Sequence, residues 1–225
     1  MAIRGKVIRH ELEPILDFQF KQINRYISEM TVGLSRLKDD FNKYIDEEIK
    51  NEPLNEQSVI QHFSDDIRTY NDDYYNLFIR STFVSIYSLF EFYSYKLCVL
   101  AAEKTLNALT FNSSQEKNTI SKHKNYLEQA IRLNLKDEKV YWKKIDKEYK
   151  VVRNLIVHQN SNIIKDTSKS LNKQDGYSIV SNKANFNLDE DTGDFQIHNT
   201  GYLFDLSSTS KHYLTGVLDK VLTLK

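Results

Sequence analysis

From about Glu11 to Asn51 apolar residues recur at alternating spacings of four and three: Ile23, Ile27, Met30, Leu34, Leu37, Phe41 and Tyr44. That seam predicts a long helix with one buried face, interrupted weakly at Gly33 and ended by Asn51 to Asn55 with Pro53. A shorter helix is expected over Glu56 to Tyr70, before the Asn71-Asp72-Asp73 cluster. A second long helix follows from Asp73 to Ala108, with Ile79, Phe83, Ile86, Phe90, Tyr93, Leu97 and Leu100 repeating the same spacing. The two seams are expected to bury one another and form the heart of the fold.

A loop is expected at Thr110 to Asn112, and Ser113 with Glu116 fits a capping box that starts a helix running to Leu133. After Asn134 and Asp137 a further helix should reach Asn160, on a core stripe of Tyr141, Ile145, Tyr149, Val152 and Ile156. Beyond it the pattern changes. Residues 161–176 are rich in Ser, Asn, Lys and Asp and read as a mobile loop. Ala184 to Leu188 and Asp194 to Ile197 alternate apolar and polar residues around Asp189-Glu190-Asp191-Thr192-Gly193, which predicts a hairpin. Tyr202 to Leu206 reads as a candidate third strand, and a last helix is expected from Ser207 or Ser208. The class is therefore all-α: an up-and-down helical bundle with a small β-hairpin insert before the last helix. A single domain is expected, with its bundle core in residues 1–160, the loop and hairpin in 161–206 and the C-terminal helix in 207–225.

Composition sharpens this picture. Of 225 residues only 6 are Gly and 2 are Pro, too few for the many turns of a sandwich or barrel. Tyr and Phe are abundant, at 14 and 12. The formal net charge is zero, which argues against permanent residence on nucleic acid while leaving room for a local basic stripe. A lone Cys98 gives neither an intramolecular disulfide nor a thiolate metal cluster. The apolar stretch Thr82 to Ala102 contains Glu91, Lys96 and several Ser, so it reads as a core helix rather than a membrane span. The start MAIRGKVIRHELEP lacks an apolar signal core, and a cytoplasmic protein is expected.

The chemistry-bearing candidates lie on the helix that ends at Asn160. With about 100° of rotation per residue, Asn154 falls opposite Val152, and His158 lies one turn further on nearly the same face. Lys143, Lys147 and Lys150 fall on that face of a regular α-helix, Arg153 flanks it, and Leu155 and Ile156 point inward. The set suits a phosphodiester. His can take up and release a proton near neutrality. Arg offers a planar fork for phosphate oxygens, and Asn can orient either partner. An attack by an RNA 2′-hydroxyl needs both an acid and a base, and one chain offers one suitable His. A two-fold dimer would supply two.

The segment YKVVRNLIVHQNSNI resembles the ribonuclease motif of the HEPN (higher eukaryotes and prokaryotes nucleotide-binding) family: Arg, a polar residue, mostly apolar filler, then His, late on the last long helix of a bundle. Arg153, Asn154 and His158 match those positions. Ile79 to Cys98 resembles that family's aromatic second helix with an embedded acidic residue, here Glu91. The likeness spans Asp73 to Asn162. It implies a helical bundle of HEPN type that dimerises and cleaves RNA without a metal or other cofactor, leaving a 2′,3′-cyclic phosphate and a 5′-hydroxyl. It further implies an RNA substrate, a toxin or anti-phage context, and an antitoxin or defence-system protein as a possible partner. The alternative is a non-catalytic dimer that binds nucleotide, RNA or protein.

Simpler readings stand beside these. Arg153 and His158 also suit the negative end of a helix dipole. The lysine stripe also suits a solvated face, with Asp146 and Glu148 reducing its field. Glu91 would be costly to bury unpaired; Arg80, a Lys, Arg153 or solvent could receive it, in a structural role for Arg80 and Glu91. His10, His62, His123, His198 and His212 lack metal-ligand spacing, and Asp189 to Asp191 fits turn chemistry better than a cation loop.

Overall fold

The computed structural model describes residues 2–51, 55–105 and 119–224, with the side chains of residues 12–51, 55–105 and 120–224. The described residues form an all-α bundle with one two-stranded sheet. Helix α1 spans Ala2–Asn51 and α4 spans Tyr74–Thr105, joined through α2 (Glu56–His62), α3 (Ser64–Arg68) and a wide π turn over Thr69–Asp73. The Asn71-Asp72-Asp73 cluster does not break the chain; it lies inside that turn, which runs directly into α4. Helix α5 (Thr119–Asn125) continues as a π turn over Tyr126–Ala130, and α6 (Lys139–Lys144) passes through another π turn at Ile145–Tyr149 into α7 (Lys150–Gln159). The capping box expected at Ser113 and Glu116, like the loop at Thr110 to Asn112, lies outside the described residues.

Helix α4 is the hub. The seam expected from the sequence, Ile79, Phe83, Ile86, Phe90, Tyr93, Leu97 and Leu100, is buried throughout, with Cys98 buried beside it. The main partner of α4 is not α1, as expected, but the last helix, α9 (Gly201–Thr223), with α1 laid over both and α5 and α7 alongside. The reason is visible along α1. Leu16, Phe20 and Ile27 are buried, whereas Leu37 and Tyr44 are more than 40% exposed, so the distal seam never reaches α4. It packs instead on the short helices, with Phe41 stacked on Tyr70 at 4.2 Å between ring centroids and Tyr44 edge-on to Phe63.

The hairpin forms as expected, from β1 (Phe186–Leu188) and β2 (Phe195–Ile197) paired antiparallel with Phe186 opposite Ile197. The third strand does not: Tyr202 to Leu206 is the first turn of α9. Tyr202, Leu203 and Leu206 are all buried while Phe204 and Asp205 are partly exposed, a helical rather than an alternating pattern. Tyr202 anchors an aromatic cluster, stacked parallel on Phe83 and edge-on to Tyr149 and Phe186. That cluster fixes the hairpin to α4, to α9 and to the π turn that precedes α7. The 161–176 segment is tied down as well, with Ile163 buried, a short 3₁₀ turn (Leu171–Lys173), and buried Gln174 whose Nε2 donates to the carbonyls of Asp166 and Lys169. A further short helix, α8 (Tyr177–Val180), leads into β1.

Candidate active site

Helix α7 carries Arg153, Asn154 and His158 on its last two turns. It is held by Val152, Leu155 and Ile156, which are buried against the bundle. With that face fixed, Asn154 and His158 are exposed and Arg153 lies half-buried beside them. The helix ends at Asn160, in left-handed conformation with φ 50°, and Ser161 follows at φ 66°. Ser161 N–H reaches back to the Leu155 carbonyl at 3.0 Å, closing the helix end.

The three motif residues meet within one chain. Arg153 Nη1 donates to Asn154 Oδ1 and stands 3.2 Å from His158 Nε2. A guanidinium can only donate, so a hydrogen bond across this contact uses Nε2 as its acceptor, in the tautomer that carries the ring hydrogen on Nδ1. The basic nitrogen is therefore masked by Arg153 until something competes for the guanidinium, which an anionic phosphate oxygen would do.

The Arg153 charge also acts on Glu91 of α4. Burial raises the Glu91 carboxyl above its ordinary value, and the nearby Arg153 charge pulls it partly back. Tyr87, 2% exposed, has its phenol pushed up by burial first and by Glu91 next, with Arg153 opposing. Arg80 does not pair with Glu91. The two are three turns apart on α4, and Arg80 Nη2 instead donates to Asn160 Oδ1 at 2.6 Å. Arg80 thus acts on the end of α7, and no spacing in the chain marks Asn160 as its acceptor.

The lysines do not form one stripe with this group. The π turn at Ile145–Tyr149 admits about one extra residue, rotating what precedes it by on the order of 100° relative to α7. Lys143 and Lys147 line a groove of about 430 Å³ against Ile179, Asn182 and Phe186, together with Lys144 and Glu148. Lys150 turns to Asp146 Oδ1 at 2.9 Å, and Lys147 reaches the other oxygen at 3.1 Å. Burial alone would raise the Asp146 carboxyl; these two lysines hold it below its ordinary value. Lys144 is paired with Asp205, which also accepts the Tyr149 hydroxyl at 2.6 Å.

No family model, curated protein or solved structure matches the chain. No helix among the described residues is long and apolar enough to cross a membrane. No group of three or more His, Cys, Asp or Glu side chains among those residues could hold a metal ion.

Proposed function

We propose that the chain is a metal-independent endoribonuclease of HEPN type, acting as a homodimer with its active site where two copies meet. The observation that carries the proposal is the Arg153 guanidinium placed 3.2 Å from both Asn154 Oδ1 and His158 Nε2 at an exposed helix end. A scissile phosphate there would draw Arg153 onto its oxygens and free Nε2 to take the 2′-hydroxyl proton. Asn154 would orient the guanidinium. The 2′-oxygen would attack phosphorus, the P–O5′ bond would break, and the second copy's His158, entering the step as the imidazolium and released from its own Arg153, would protonate the departing 5′-oxygen and be left neutral. A cyclic phosphate and a 5′-hydroxyl result. A cytoplasmic toxin or anti-phage role, with an antitoxin or defence-system partner, is the context proposed with it.

The test is cleavage of a labelled tRNA or single-stranded RNA in EDTA by the parent and by His158→Ala, with helical signal and oligomeric state measured alongside. The parent should cut and the variant should not. Equal cutting by both overturns the assignment. A parent that binds RNA without cutting points to the non-catalytic reading, which the zero net charge and the Lys147 and Lys150 pairing with Asp146 favour.

A further inference from the structure

One face of α4 is unpartnered among the described residues. Leu77 is 67% exposed and Phe92 is 50% exposed, roughly 22 Å apart along the helix. Between them the exposed positions are Ser81, Ser85 and Ser88. Two of these hydroxyls are already satisfied: Ser81 Oγ donates to the Phe78 carbonyl and Ser85 Oγ to the Ser81 carbonyl. They present the outside with little more than a methylene. The face is thus a shallow trough of small residues with a large apolar residue at each end.

The trough is symmetric about its middle. Reversing the helix about a point next to Ser85 exchanges Leu77 with Phe92 and Ser81 with Ser88. The same reversal, within one residue, exchanges Arg80 with Glu91. At about 100° per residue Arg80 and Glu91 lie on the same flank of α4. In an antiparallel pair related by a two-fold axis, equal flanks lie on the same side, so each Arg80 would come beside the other copy's Glu91. Glu91 is half-buried and makes no hydrogen bond or ion pair with any described residue. Small residues at the crossing let two such backbones approach closely.

We propose that this face is a self-association surface: two copies pack α4 antiparallel across Ser85, each Leu77 against the partner's Phe92 and each Arg80 beside the partner's Glu91. The charges match across the joint, and the apolar ends cover one another, which is why a second copy fits better than an unrelated chain. The Arg80 and Glu91 flank is also the side on which α7 lies, through the Arg80–Asn160 bond and the Arg153 charge near Glu91. Both copies of Arg153 and His158 then open on one side of the dimer, and the partner's Arg80 neutralises the Glu91 carboxylate on which the Arg153 charge acts. This last consequence rests on the nuclease reading above; the pairing of the helices does not.

The test traps the crossing point. Ser85→Cys in the full chain places two thiols next to the two-fold axis, within reach of disulfide geometry. The native Cys98 is buried, with its thiol pushed up by burial, and does not compete. Under mild oxidation Ser85→Cys should give a covalent dimer, while Gln196→Cys, exposed on β2, should not. Light scattering should show the parent as a dimer. Arg80→Glu or Glu91→Arg alone should weaken that dimer about tenfold or more, and the double exchange should restore it. A monomeric parent, a dimer that Ser85→Cys fails to trap, or a double exchange that restores nothing overturns the proposal. Loss of cleavage in His158→Ala with the cross-link intact concerns the nuclease reading alone.

Discussion

Arg80 on α4 and Asn160 at the end of α7 are joined by a 2.6 Å hydrogen bond across 80 residues of sequence. Asn160 holds a left-handed conformation that most side chains resist, and its amide oxygen meets the Arg80 guanidinium, so one residue both closes α7 and ties it to the hub helix. Asn160→Gly should keep the conformation and lose only the bond, at about 1 kcal/mol. Asn160→Val should lose both, at roughly 2–3 kcal/mol. Urea denaturation of the two variants should rank them in that order; equal costs would mean that the conformation is unstrained.

The guanidinium of Arg153 is placed by its planar geometry. Arg153→Lys keeps the charge but cannot address Asn154, His158 and a phosphate together. Under the proposed function, kcat should fall by roughly a hundredfold or more with unchanged circular dichroism. An Arg153→Lys enzyme within a few-fold of the parent would show that charge alone suffices.

His123 is 1% exposed between α5 and α4, its Nδ1 3.1 Å from Ser94 Oγ. Burial first, then the Lys122 charge, lowers its pKa to about 4. The unfolded chain takes up a proton near the ordinary histidine value, about 6.5, and the folded chain does not until about pH 4. Stability from this residue is therefore complete above about pH 6.5 and is lost as pH falls toward 4, by roughly 1–3 kcal/mol. Glu91, raised in the fold, works in the opposite direction over its own range. The urea midpoint of His123→Gln should depend less on pH across this window than that of the parent; parallel curves would contradict the assignment.

Gly193 closes the hairpin at φ 74°, and a β-carbon there would stand 2.5 Å from Ile164 Cγ1. Gly193→Ala should destabilise by roughly 1–3 kcal/mol, because strain and collision add. A thermal midpoint within a degree of the parent's would show that the hairpin relaxes freely.

Much of the helical layout can be read from periodicity, since Ile79 to Leu100 and Ile145 to Ile156 keep their buried seams in the fold. The Tyr202 to Leu206 segment misleads because a short apolar run fits both periods; only continuation through Tyr213, Val217 and Val221 decides for the helix. Within the candidate site, Arg153, Asn154 and His158 lie close enough along one helix for the sequence to place them together. Lys143 and Lys147 turn away because a π turn, which leaves no compositional mark, rotates them off that face.

By itself the sequence determined the buried faces of α4 and of the stretch from Ile145 to Ile156, because a fixed rotation per residue turns spacing into a face. Local spacing also settled the grouping of Arg153, Asn154 and His158. Tertiary structure alone decided which helix covers which: that α9 rather than α1 is the main partner of α4, that Arg80 reaches Asn160, and that the Arg153 charge acts on Glu91. Those pairings depend on packing between segments distant in the chain, and no spacing within one segment encodes them.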